Sequence, residues 1–166
     1  MTREFIKNSF FYTSILVSQL LIFNHFNLFD IITPSVYLII FILYKTTYSK
    51  TFLIFLGFIT GLIIDFAMQT YGIHAFATIT ICYLRERIEK NSFGINANLP
   101  SAMIKGTQMI NRLTFFMLII LIHSSIYYSL VFFNTEILGK IFFYTIINSI
   151  VTFIITWIFT QLISNN

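Results

Sequence analysis

Asp65 is the residue with the strongest claim to chemistry in this 166-residue chain, because it stands alone as a carboxylate inside residues 57–85, GFITGLIIDFAMQTYGIHAFATITICYLR, a run with no other charge before Arg85. An ionisable group in such surroundings is expensive to keep out of water and marks a functional or structural site by default. His74, nine residues on, offers a partner for proton transfer or for an ion pair. The wider search for reactive groups is thin. The chain has no Gly-x-Ser-x-Gly, no His-Glu-x-x-His and no phosphate-binding glycine loop. Asp65 is the only carboxylate away from the predicted helix ends, so paired-carboxylate hydrolysis and Asp-Asp intramembrane proteolysis lack their second member. His25, His74 and His123 fall on separate predicted helices, with His25 and His74 near outer ends and His123 nearer mid-depth, which does not converge on one metal ion. Cys82 is the single cysteine, so an intrachain disulfide is impossible. No catalytic residue, cofactor or metal is expected.

The element that must position Asp65 is a helix whose spacing is explicit. Gly57, Gly61 and Asp65 lie at i, i+4 and i+8, one slowly drifting face, with Ile54, Ile64 and Met68 beside it. Two glycines four apart allow a neighbouring helix to approach closely, and the same contact covers the carboxylate. The helix breaks at residues 69–72, where Gly72 sits, and a second apolar run starts at once with Ile73 and His74. Composition demands the same setting: 57% of residues are apolar, 10% are charged and the mean hydropathy is +0.85, which excludes an ordinary soluble domain.

In chain order, a basic lead with Arg3 and Lys7 precedes the first apolar run, residues 10–26. No Ala-x-Ala-like site follows it, so it reads as a retained helix and not a cleaved signal. Pro34 is placed to open the next helix. That run, residues 36–44, reaches only ~20 Å even when counted from Ile31, against a bilayer core of ~30 Å. It must be thinly embedded, extended by Tyr44 and Lys45, or shielded by neighbours. The third run covers residues 51–68 and the fourth, also short, residues 73–84. Residues 85–112 form a polar cytoplasmic loop in which Pro100 is placed to open a short amphipathic helix. The fifth and sixth runs cover residues 113–133 and 141–163, with His123, Asn148, Thr152 and Thr156 inside them. The expectation is one all-α domain over residues 1–166, a compact bundle of about six transmembrane helices, two of them short.

Nine of the ten lysines and arginines fall on one side of that layout, and only Lys140 falls on the other. The bias places both termini and the 85–112 loop in the cytoplasm. Asp65 then lies ~22 Å from the cytoplasmic end of its helix, in the outer half of the bilayer, on the same side as His74. Arg85, Arg87, Lys90 and Lys105 are expected to meet cytoplasmic partners or anionic membrane lipid. The net charge of +4 is topogenic and points to no nucleic acid.

Thr33-Pro34-Ser35-Val36-Tyr37-Leu38 before a short helix, Gly57, Gly61-x-x-x-Asp65, Tyr71-Gly72-x-His74-Ala75 and the closing Arg85 together resemble the rod shape-determining protein MreD family in its Bacteroidetes-type form, across residues 10–163. The resemblance implies a non-catalytic inner-membrane subunit of the cell-elongation complex, scaffolding lateral-wall peptidoglycan synthesis. Its implied partners are an MreC-type bitopic protein, an MreB-type filament and a peptidoglycan polymerase and transpeptidase. It also implies a fold similar to the substrate-binding subunits of energy-coupling-factor transporters. Read from the residues themselves, two other functions stay open. One is a vitamin-type small-molecule subunit of a transporter, binding among Gln19, Asp65, His123 and Asn148; the other is an intramembrane enzyme or ion pathway.

Overall fold

The computed structural model describes residues 2–25, 32–45, 48–94, 107–133 and 138–165. The regular elements among the described residues are all helices: α1 (Thr2–Ser18) running into a π-helical turn (Gln19–Phe23), α2 (Leu38–Ile42), α3 (Lys50–Met68), α4 (Ile73–Phe93), α5 (Met109–Phe132) and α6 (Leu138–Asn165). Three of these, α3, α5 and α6, are long and apolar enough to cross a membrane, with mean hydropathies of 2.0 to 2.1.

Helices α3 and α4 form a tight antiparallel hairpin. Ser49 caps the start of α3 by accepting from the Phe52 N–H at 3.3 Å, which satisfies one of the free donors that every helix start carries. The far end reverses through Gln69 (φ 56°), Tyr71 (φ 54°) and Gly72 (φ 92°). Only glycine takes such a φ without steric cost, so Gly72 fits its position while Gln69 and Tyr71 are held there by the turn. The hairpin closes over two glycines. A Cβ on Gly61 would overlap the Ala75 backbone, 2.7 Å from its nitrogen, whereas one on Gly57 would meet the Cys82 Sγ at 2.7 Å.

These two obstacles differ in kind, because a side-chain sulfur can rotate aside and a helix backbone cannot. Gly61→Ala is therefore expected to cost about 1–3 kcal/mol by forcing the helices apart, and Gly57→Ala less than that. Thermal unfolding of the two purified variants in detergent tests the order. Equal losses, or a larger loss for Gly57→Ala, would refute close backbone packing at Gly61.

Helices α5 and α6 pair antiparallel, with Phe116 against Trp157 (ring centroids 5.4 Å apart) and Tyr128 against Tyr144 (5.7 Å). The centre of the bundle is neither of these hairpins but the short run before α3. No residue from 36 to 42 is more than 2% exposed, and α2 within it is a single five-residue turn. Bonds from the N–H groups of Leu38, Ile39 and Ile40 to carbonyls three residues back wind the chain tightly into that turn.

Several expectations are corrected here. The second run is not a spanning helix but an enclosed segment, which is the shielded alternative. Pro34 does not open a helix; it lies four residues before α2, and its carbonyl serves as an acceptor. The fourth helix is not short, since α4 continues to Phe93 and takes the first nine residues of the anticipated loop. The basic lead with Arg3 and Lys7 is part of α1. The amphipathic helix expected at Pro100, and Lys105 with it, lie outside the described residues.

Candidate functional site

Asp65 sits in the last turn of α3 and is 5% exposed. Its Oδ1 accepts from the His74 backbone N–H at 2.9 Å and its Oδ2 from the Ala75 N–H at 2.8 Å. Thr70 Oγ1 donates to Oδ1, and His74 Nδ1 lies 3.1 Å from the same oxygen. The residue at the N-cap of α4 is Gly72, which has no side chain to cap with. Asp65 supplies that cap from the preceding helix. A carboxylate at a helix N-terminus meets unsatisfied donors and the positive end of the helix dipole. The carboxylate is therefore fully engaged by its own hairpin, with Gly61 permitting the approach and Gly72 the reversal.

Inward from the cap, the His74 ring packs against Tyr127 at 4.5 Å between centroids. Deeper still, Tyr37 of the central segment joins α4 and α5. Its hydroxyl lies 2.7 Å from His123 Nε2 and 3.2 Å from Thr78 Oγ1. Thr78 donates to the His74 carbonyl at 2.6 Å. Among the described residues the two polar groupings thus meet through a backbone carbonyl, which carries no transferable proton.

The central segment exposes a harder problem, since non-helical backbone inside a membrane protein must find every partner within the protein. Side chains from three other helical elements supply them. Gln19 donates from Nε2 to the Pro34 carbonyl (3.1 Å) and accepts at Oε1 from the Tyr37 N–H (3.1 Å). On α6, Asn148 Oδ1 accepts from the Thr33 N–H (2.8 Å) and Thr152 Oγ1 from the Ser35 N–H (3.1 Å). On α4, Arg85 donates from Nε to the Phe41 carbonyl (2.9 Å) and from Nη2 to the Tyr44 carbonyl (2.8 Å). Six backbone groups are satisfied in this way by four side chains.

Arg85 also pairs with Glu89 at 3.0 Å, both side chains being buried. The anticipated contact of Arg85 with partners or lipid is corrected accordingly: its guanidinium is enclosed and turned inward because only a fork of several donors can serve two carbonyls and a carboxylate together. Arg87 and Lys90 are exposed. Lys90 and Lys50 both bond Glu86, at 2.7 and 3.4 Å, and hold its exposed carboxyl below the usual carboxylate range.

The four residues considered as a ligand site from sequence are not brought together. Asp65 caps α4, Gln19 and Asn148 hold the central backbone, and His123 bonds Tyr37. Sequence reasoning missed Tyr37 and Thr152 as members of this network and mistook the role of Arg85. No group of three or more metal-binding side chains occurs among the described residues.

What these residues define is a helical membrane protein whose buried polar side chains hold its own backbone and helix ends. The model of the rod shape-determining protein MreD family matches residues 2–165, essentially the whole chain, and the protein belongs to that family. The family implies a role in determining rod shape. No curated protein and no solved structure matches the chain.

Proposed function

We propose that this protein is a non-catalytic, multi-pass inner-membrane subunit of the cell-elongation complex, scaffolding lateral-wall peptidoglycan synthesis. The observation that carries this reading is the engagement of Asp65: both carboxylate oxygens accept backbone N–H groups, which leaves this buried carboxylate occupied with architecture. Partners expected from the family are an MreC-type bitopic protein, an MreB-type filament and the peptidoglycan polymerase and transpeptidase. Depletion in the native host tests the reading. Rounded cells with normal vitamin uptake are expected; normal shape with a new nutrient requirement would favour a transporter subunit instead.

The same proposal orients the chain with both ends in the cytoplasm, following the bias of basic residues. Arg87 and Lys90, exposed beside Glu86, then offer a charged cytoplasmic face, and juxtamembrane basic residues are drawn to the inner leaflet at ~1 kcal/mol each. Cysteine labelling at Asn134 and Ser164 is expected to report opposite sides of the membrane. Labelling of both from one side would remove this topology.

A further inference from the structure

When both Tyr37 contacts are hydrogen bonds, counting their hydrogens assigns the tautomer of His123. The single hydroxyl hydrogen of Thr78 is committed to the His74 carbonyl at 2.6 Å, so the 3.2 Å contact with Tyr37 requires the Tyr37 O–H to donate to Thr78 Oγ1. The Tyr37 oxygen is then an acceptor, and the 2.7 Å contact with His123 is an Nε2–H donation to it. A neutral imidazole protonated at Nε2 carries a bare lone pair at Nδ1. That Nδ1 is buried without a hydrogen-bond partner among the described residues, in a side chain 1% exposed.

Two hydroxyls on α6 share this condition. Thr145 Oγ1 and Ser149 Oγ are buried without partners, although hydroxyls in a helix ordinarily fold back onto a carbonyl of the preceding turn. Their neighbours do so: Thr156 donates to the Phe153 carbonyl at 3.1 Å and Thr160 to the Thr156 carbonyl at 2.7 Å. The level of these groups follows from the Tyr128–Tyr144 ring contact. His123 lies five residues before Tyr128 and Ser149 five residues after Tyr144, so in antiparallel helices both sit ~7.5 Å from that contact in the same direction. Thr145 is one turn nearer to it. A lone pair in need of a donor and two hydroxyls in need of acceptors therefore lie within ~6 Å in level along paired helices.

We propose that an internal water molecule is bound between α5 and α6 at this level, donating to His123 Nδ1 and accepting from the Ser149 hydroxyl, with Thr145 as a further partner. Buried water needs two to four polar partners, and these three groups meet that requirement. The site is separate from the Asp65 cap and does not depend on the scaffold reading.

Solid-state NMR of the full chain in lipid bilayers, labelled with 15N-histidine, tests it. The expected spectrum shows His123 protonated at Nε2, with its ring receiving magnetisation from water protons. Ser149→Ala should shift the Nδ1 signal, whereas Thr160→Ala, whose hydroxyl bonds its own helix, should leave it in place. An unmoved His74 signal reports that the fold is intact. Protonation at Nδ1, transfer from lipid protons or from none, or an unchanged His123 signal in Ser149→Ala would each overturn the proposal. Should Ser149→Ala fail to fold, the tautomer and the water transfer of the unmodified chain decide by themselves.

Discussion

Asp65→Leu is expected to lower the amount of folded, inserted protein sharply, because it strips the start of α4 of a cap that no other side chain provides. Two backbone donors, the His74 and Ala75 N–H groups, lose their acceptor. At about 1–3 kcal/mol for each buried donor left unpaired, the loss is about 2–6 kcal/mol, comparable with the whole stability of many domains. Asp65→Asn falls between. An amide keeps one oxygen for His74 and Thr70 but turns an NH2 group towards the Ala75 N–H, a loss of about 1–3 kcal/mol. The engagement of both oxygens therefore makes the amide a poorer substitute than its ability to hydrogen-bond implies from sequence. Melting temperature in detergent, protein level and cell shape at matched expression are the measurements. The capping role predicts the order wild type, Asn, Leu in all three. Complete loss of shape control in an Asn variant that is stable and partner-bound would point to titration of Asp65 and sink the structural account.

The second large effect is expected at Arg85. Arg85→Leu removes the donors for the Phe41 and Tyr44 carbonyls and leaves Glu89 buried without its charge partner. Breaking a buried ion pair from one side costs about 3–5 kcal/mol, much of it from the stranded charge. Arg85→Lys should recover only part of this, since an ammonium cannot present the guanidinium fork to three oxygens at once. The double variant Arg85→Leu with Glu89→Leu should be more stable than Arg85→Leu alone, because it removes the stranded carboxylate. Detergent melting temperatures of the four proteins give the comparison. If the second substitution adds a full further loss, the pair is not coupled and the enclosed fork is not what holds residues 41–44.

The Asp65 site was legible from sequence because it is local: Gly57, Gly61, Asp65, Gly72 and His74 lie within 18 residues, and helical spacing alone puts the glycines and the carboxylate on one face. The central segment was not legible in the same way. Its partners are Asn148 and Thr152, 115 and 117 residues away, and Arg85, 41 and 44 residues away, and periodicity carries no information at such separations. What the sequence does show is a run too short to span, and an enclosed backbone requires polar side chains elsewhere. Gln19, Asn148 and Thr152, each inside an apolar helix, were the available signal. The extension of α4 was also readable. Arg85, Ile88, Glu89 and Ser92 stand at i, i+3, i+4 and i+7 and are all buried, an amphipathic pattern hidden by the high charge of the segment.

The closure of the central segment by α6 has a consequence for the order in which the protein is made. Thr33 and Ser35 leave the ribosome well before Asn148 and Thr152 exist, and at roughly 5–20 residues per second the interval for 115 residues is on the order of 10 s. Throughout that time the backbone N–H groups of Thr33 and Ser35 have no α6 to bond. The segment must remain in contact with water or with the insertion machinery until α6 arrives, so its closure waits on an element made more than a hundred residues later. A premature stop between residues 133 and 148 would leave α1 to α5 in place and the middle of the molecule open, a state that membrane quality-control proteases can recognise by its unsatisfied backbone.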